Sequence, residues 1–312
     1  MKQASYYHLE KIDEHIKRIE ANGQETDDAE LAARCDLCPH ACLIREGHAG
    51  RCRSRVFHDG KLWAMSYAEP CALAVDPVEK KPLNHFHPGT QCLSVACTGC
   101  NLRCLNCQNS DISQVRPEDV EHATWQPEDL VGVCLQQHLP SIAYTYTEPL
   151  TWIEYMLDTA RLAHEHGIYN ILVSAGYVNE QPLRDLLPYL DAANIDLKSI
   201  SDDVYHRLNG ASLDPVQRTL RIIHEAGIEL EVTNLLVDGW NTSEEMVRGL
   251  CRWLVGNGMS DVPLHLSRCF PLLSNARPEA HADPRHATCP RYCKRRRHTV
   301  GASRKCVISL TP

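Results

Sequence analysis

The sequence predicts an α/β fold: six parallel strand–helix units, of a size that suits a partial (β/α)6 barrel, behind a small N-terminal Cys-rich lobe. Three observations predict it. From residue 92 onward, six short apolar runs alternate with helical segments, the pattern of a parallel sheet built from βαβ units. Ahead of them, Cys35, Cys38, Cys42 and Cys52 fall in a turn-rich stretch carrying Pro39, Gly47 and Gly50. Directly behind the first run lies Cys100-x3-Cys104-x2-Cys107, three thiols in one short loop. The alternation alone does not separate an open sheet from a barrel.

Taken in order, Tyr6 to Ala21 reads as a charged amphipathic helix, with Leu9, Ile12, Ile16 and Ile19 at helical spacing. A second short helix is expected over Asp27–Arg34. The four cysteines that follow, C-x2-C-x3-C-x9-C, suit a four-thiol metal site. The spacing leaves structural zinc and an auxiliary iron–sulfur cluster both open. Lys61 to Val75 reads as strands of the small lobe, and Asp76-Pro77-Val78-Glu79-Lys80-Lys81-Pro82 as a polar loop leading to the main domain. The strands expected there are Cys92–Ala96, Ile142–Tyr146, Asn170–Ser174, Asn194–Leu197, Glu229–Val237 and Pro263–Ser267. Pro127 opens the first long helix, where its missing N–H costs nothing. Thr151–His166 follows, ended by Gly167, and then Gln181–Leu190. Asp214 and Pro215 read as cap and first residue of the next helix, closed by Gly227. Thr242-Ser243-Glu244-Glu245 is a capping-box pattern for the last, with Gly258 just beyond. The expected division is residues 1–90 for the N-terminal helix and Cys-rich lobe, 91–270 for the core domain, and 271–312 for a tail.

Composition narrows the function classes. The 312 residues are 43% hydrophobic and 23% charged, an ordinary globular balance. A net charge of -8 does not suggest a general nucleic-acid surface. The first twenty residues are charged and hold no signal-like apolar run, and no stretch approaches ~18 apolar residues, so neither a leader nor a membrane span is expected. Sixteen cysteines in metal-like spacings, in a large chain read as having no leader, suit a reduced, cytoplasmic, metal-binding protein. Past Pro271 the periodicity ends, and the tail carries nine Lys/Arg against two Asp/Glu. Cys289, Cys293, His298 and Cys306 have a zinc-like spacing, and Lys294–Arg297 is a basic run. The preferred reading is an irregular basic tail, disordered or arising from a reading-frame change.

The three-thiol loop carries the chemistry. A cubane iron–sulfur cluster has four iron corners held by thiolates, so three cysteines leave one corner open, which is what catalysis needs. Asn101, Arg103, Asn106, Gln108 and Asn109 in and beside the loop argue against buried structural thiols. Cys97 is the discriminating residue. As a fourth ligand it would close the cluster, making a two-cluster iron–sulfur electron-transfer protein, or complete a zinc site in an interaction module. Parallel α/β folds gather chemistry at the C-terminal strand ends. There the sequence places Thr147-Glu148-Pro149, Ser174-Ala175-Gly176, Asp196 with Lys198, Asn234, and His265, Ser267 and Arg268. Asp196 and Lys198, two apart, share a face and can reach one ligand.

With Cys35-x2-Cys38-Pro39-His40, Asp76–Leu83, Gly99–Asn109, Tyr144–Pro149, Asp196-Leu197-Lys198 and His265–Arg268 in view, the chain resembles the radical S-adenosylmethionine (radical SAM) superfamily. The branch is that of pyruvate formate-lyase activating enzyme, and the closest likeness is to the radical SAM enzymes of the AmmeMemoRadiSam system. The resemblance implies a 4Fe–4S cluster on Cys100, Cys104 and Cys107, with SAM chelating the free iron. It implies that Glu148 binds the SAM amino group, that Asp196 and Lys198 contact its ribose and carboxylate region, and that Ser174 contacts SAM near the third strand. Cys97 falls outside the family triad. Two positions depart from the family: Asn106 where an aromatic usually packs the adenine, and Ala175 where relatives often have Asn. The implied reaction is reductive cleavage of SAM to a 5′-deoxyadenosyl radical, fed by a one-electron donor such as flavodoxin or ferredoxin. The radical would abstract hydrogen from a substrate the sequence does not identify; kinship with activating enzymes suggests a protein glycyl residue.

Overall fold

The structure is a computed structural model that describes residues 1–12, 30–269 and 308–310. Its strands are β1 (Lys2–Gln3), β2 (Tyr7–Ile12), β3 (Glu30–Cys35), β4 (Leu43–Arg45), β5 (Arg55–His58), β6 (Lys61–Ala64), β7 (Pro70–Pro77), β8 (Gln91–Cys97), β9 (Ser141–Tyr144), β10 (Tyr169–Ser174), β11 (Ala192–Asp196), β12 (Glu229–Leu236), β13 (Leu264–Arg268) and β14 (Ile308–Leu310). Its helices are α1 (Ser110–Ser113), α2 (Pro127–Gln137), α3 (Ile153–Glu165), α4 (Glu180–Leu186), α5 (Asp202–Val204), α6 (Leu213–Glu225) and α7 (Glu244–Gly256). β8 to β14 lie side by side in chain order, all parallel, and β7 adds an antiparallel edge to β8. The fold is thus mixed α/β with a largely parallel sheet, and β7 and β14 are its two edges.

All six expected core strands form, within three residues of their expected ends. They form because their runs are apolar on both faces: β9 is buried at every position and β8 at all but its first. A seventh parallel strand, β14, lies in the stretch read as irregular tail; residues 270–307 and 311–312, including the zinc-like spacing and the basic run, lie outside the described residues.

Helix ends follow capping chemistry with small shifts. Pro127 is the first residue of α2, and Gln126 N–H donates to Asp129 Oδ2 (2.7 Å). α6 starts two residues before Pro215, which sits where the helix needs no N–H. α7 is capped by Ser243 rather than Thr242; Met246 N–H donates to Ser243 Oγ (3.3 Å), so only half of the expected box is made.

The N-terminal segment corrects the expectation. Tyr7–Ile12 is a strand, not part of a helix over Tyr6–Ala21, and Glu30–Cys35 is a strand, not the end of a helix over Asp27–Arg34. The two pair antiparallel, with Tyr7 opposite Cys35, and β4 completes a three-stranded sheet. Leu9 and Ile12 fit a helical spacing, but Leu9 is 46% exposed, and pairing to a buried partner strand overrides so weak a pattern. Residues 13–29 lie outside the described residues. Among the described residues no helix is long and apolar enough to cross a membrane.

Candidate functional site

The loop after β8 is tied at both ends. Gly99 N–H donates to Ile112 O (3.1 Å), Arg103 N–H to Asn209 O (2.8 Å) and Leu105 N–H to Leu208 O (2.9 Å). The last two bonds dock it on Tyr205–Asn209, a π-helical turn ended by Gly210. Cys100, Cys104 and Cys107 are each partly buried on this loop. Every sulfur faces a donor. Leu102 N–H donates to Cys100 Sγ (3.4 Å), Asn209 Nδ2 to Cys104 Sγ (3.2 Å), and Ser113 Oγ lies 3.4 Å from Cys107 Sγ. Donors aimed at sulfur favour the thiolate, the form that binds metal. Burial works the other way and pushes the Cys100 and Cys104 thiols up, with Lys198 and Asn209 pulling Cys104 back.

Glu148 follows β9 and is positioned by the turn it opens. It caps the 3-10 turn Pro149–Trp152 that leads into α3. Its Oε1 accepts from Ser174 Oγ (2.7 Å) and Leu150 N–H (3.2 Å), and its Oε2 from Ala175 N–H (2.9 Å). An ionised carboxylate offers about four acceptor positions, so one on Oε2 remains for an incoming donor. Burial raises the Glu148 pKa, and Ser174, the two backbone N–H groups and Lys198 offset part of that rise. Ala175 therefore contributes through its backbone N–H, whatever side chain the position carries.

Asp196 ends β11, and Lys198 Nζ reaches its Oδ2 at 2.7 Å. Burial alone would lower the Lys198 pKa, but the Asp196 carboxylate and the Cys104 thiol outweigh it and hold the ammonium well above its ordinary value. The segment that carries them is clamped: Asn234 Nδ2 donates to Leu197 O (2.6 Å), Asn241 Nδ2 to Lys198 O (2.7 Å), and Lys198 N–H to Tyr205 Oη (3.0 Å).

Several supporting residues carry no sequence signal of this role. Tyr205 and Asn209 bound the π-helical turn and Asn241 sits in a loop, with no motif around any of them. Asp76 and Lys81, read as part of a polar loop, are buried. Asp76 accepts from Lys80 Nζ (2.6 Å), Lys81 Nζ (2.8 Å), Ser94 Oγ (2.8 Å) and the Tyr146 hydroxyl. That network fixes Tyr146, which holds a left-handed φ of 65°, and Tyr146 O accepts from Asn109 Nδ2 (2.8 Å) behind the cysteine loop. The signal available was the motif itself, two lysines beside one aspartate.

The expected rim residues do not all converge. Cys97 is fully buried in the core, and the charged neighbours that raise its thiol are Cys71 and Glu69 rather than the loop cysteines. His265 is not at the rim: it is fully buried, pairs with the buried Glu231, and lies 3.4 Å from Asn84 Nδ2. Arg268 is on the surface, 3.7 Å from Asp238. Cys35, Cys38, Cys42 and Cys52 come together separately, around a cavity on the far side of Asn101.

A 4Fe–4S cluster with SAM fits what is present. Three thiols on one loop carry donors at their sulfurs, Glu148 keeps an acceptor position, and Asn106 Oδ1 is buried with no partner among the described residues. The profile described as the Radical SAM superfamily matches residues 94–254, about half the chain. The chain is 41% identical over 248 residues to the uncharacterized protein MJ0808 of Methanocaldococcus jannaschii, covering 80% of this chain and 73% of that one. It is 24% identical over 158 residues to the pyruvate formate-lyase-activating enzyme of Clostridium pasteurianum, covering 49% of this chain and 64% of that one. The match thus spans less than two thirds of that activating enzyme. Among solved structures, Streptococcus suis SuiB bound to S-adenosylmethionine is 13% identical, with a TM-score of 0.45 over 56% of this chain and 40% of that one. The profile match over half of the chain establishes that it belongs to the radical SAM superfamily.

Proposed function

We propose that this protein cleaves SAM reductively and uses the product radical to take hydrogen from a partner protein, at a glycyl residue. The observation that carries the reading is the meeting of the cysteine loop, Glu148 and the Asp196–Lys198 pair at the C-terminal ends of the parallel strands β8, β9 and β11, with β10 between the last two. When bound, the 4Fe–4S cluster supplies one electron that splits SAM into methionine and a 5′-deoxyadenosyl radical. Cys100, Cys104 and Cys107 hold three irons and leave the fourth free for SAM. Glu148 takes the SAM ammonium on its remaining acceptor position, a charge-assisted bond in a buried place. Ser174 keeps Glu148 oriented through the 2.7 Å bond to Oε1, so its part is to position the carboxylate. Asp196 offers its carboxylate to the ribose hydroxyls, and Lys198 its ammonium to the SAM carboxylate.

The substrate class rests on two supports. The relatives with a named activity are activating enzymes, most of them for pyruvate formate-lyase and one for 4-hydroxyphenylacetate decarboxylase. Among the described residues β7 and β14 are unpaired to each other, so the sheet leaves a side through which a loop of a folded protein could reach the strand ends. The reductant would be a one-electron protein such as flavodoxin or ferredoxin, in a reducing cytoplasm. The test is anaerobic reconstitution with iron and sulfide, then SAM and dithionite, with 5′-deoxyadenosine read by mass spectrometry. Wild type is expected to form it and Cys104→Ala to form none above background. Product from Cys104→Ala, or none from a cluster-loaded wild type, would overturn the reading.

A further inference from the structure

We propose that Cys35, Cys38, Cys42 and Cys52 hold a second iron–sulfur cluster, fully ligated by protein and seated against the back of the Cys100–Cys107 loop. All four cysteines line one cavity, in which the centre of a water-sized sphere has about 10 Å³ to itself. Zinc bonds each thiolate at about 2.3 Å in a tetrahedron, which sets neighbouring sulfurs about 3.8 Å apart, in mutual contact and with no space between them. Among the described residues, the one trio of metal-type ligand atoms within 4.8 Å of one another is the exposed Glu46, His58 and Asp59. No three of the four sulfurs in the lobe are that close. The same holds for Cys100, Cys104 and Cys107, the site that suits a cubane. Four thiols around a void and wider apart than zinc allows match a cluster whose irons and sulfides fill the middle.

The surroundings suit an anionic occupant. Arg51 Nε and Arg55 Nε are buried donors without a partner among the described residues, and both arginines line the cavity. Arg55 is fully buried, so an unused donor there is costly unless an acceptor arrives. The sulfurs also receive donors: Arg51 N–H to Cys42 Sγ (3.5 Å), Ser54 Oγ to Cys52 Sγ (3.4 Å) and an Arg55 guanidinium nitrogen to Cys35 Sγ (3.9 Å). Hydrogen bonds to the sulfurs are among the features that tune cluster potential.

Four protein ligands leave no open iron, so this site has no place for SAM, and electron transfer is the chemistry left to it. Asn101 links the two sites. It follows Cys100 in the chain, lines the cavity, and its backbone oxygen lies 2.8 Å from His40 Nε2, two residues past Cys38. Gly99, on the other side of Cys100, backs directly on the Cys52 carbonyl.

The test is metal analysis of anaerobically reconstituted full-length protein, which reads iron and not SAM cleavage, so it stands apart from the proposed reaction. Wild type is expected to hold about eight irons and eight sulfides, and Cys100→Ala/Cys104→Ala/Cys107→Ala about four of each, the ligand count of one cluster per site. The triple variant should keep a dithionite-reduced electron paramagnetic resonance signal that SAM does not alter. Should that variant fail to fold by circular dichroism, Cys38→Ser/Cys42→Ser must instead drop the wild-type iron by half. One zinc per chain in wild type, or a folded triple variant without iron, overturns the proposal.

Discussion

The molecule carries two groups of cysteines that differ in count, exposure and support. The loop after β8 offers three thiols beside a buried carboxylate and a lysine–aspartate pair that remains partly open to solvent. The lobe before it offers four thiols around one cavity, two of them buried and two partly buried, walled by a fully buried arginine. Three ligands at the strand ends leave a metal corner for a substrate, whereas four ligands leave none. The contrast teaches that ligand number and access, rather than thiol chemistry itself, separate a site that reacts from one that can only conduct or brace.

The charge pairs around the two groups should differ as the thiols do. Arg55 pairs with Glu154 with both side chains buried, and it also donates to Ser5 O at 2.8 Å. Arg55→Met strands Glu154 in the core and is expected to cost about 3–5 kcal/mol in urea unfolding. Lys198→Met breaks a partly exposed pair and should cost about 1 kcal/mol or less. Equal losses would erase the distinction between closed lobe and open rim. A smaller effect concerns the network behind the rim. Burial favours protonated Asp76, but Lys80, Lys81, Tyr146 and Ser94 outweigh it and hold the carboxyl well below its usual range. A depressed pKa contributes stability that is fully present above the unfolded value, about 4, and is lost as pH falls from there through the lower folded value. Urea midpoints across a pH series should therefore drop on the acid side for wild type and less steeply for Asp76→Asn, which is the weaker protein at neutral pH. Parallel acid limbs would place the titration elsewhere. The smallest effect is at Asn106. Asn106→Tyr supplies a ring for the adenine, worth about 0.5–1.5 kcal/mol, and should tighten SAM binding several-fold in calorimetry without changing iron content. Weaker binding would instead assign the Asn106 carboxamide a direct contact with SAM.

What could be read from the sequence follows the same division. The parallel strands were legible because both faces are buried, so Cys92–Ala96 and Ile142–Tyr146 stand out as apolar runs. In the N-terminal lobe Lys61–Val75 was legible as strand and holds β6 and most of β7, but β2 and β3 read as helix, because β2 has no buried face and its partner is set by tertiary pairing. β14 was missed because three residues in a basic stretch give no period to read. At the site, the thiols and Glu148 announce themselves by spacing and by place after a strand. Asn209 on Cys104, Asn241 on Lys198 and Tyr146 on Asp76 join residues whose meeting depends on the fold, so no local pattern marks them. Cys97 was ambiguous in sequence because position along a strand does not say which way its side chain faces an irregular loop; burial in the core answers that.

Gly99 has a left-handed φ of 99°, and a methyl group there would come within 2.6 Å of the Cys52 carbonyl oxygen. The partition between the two groups of thiols is therefore backbone against backbone. Side chains absorb small displacements by changing rotamer, and a backbone contact has no such slack. The two groups of cysteines thus abut through backbone, and a spectroscopic probe placed in either should register a change in the other.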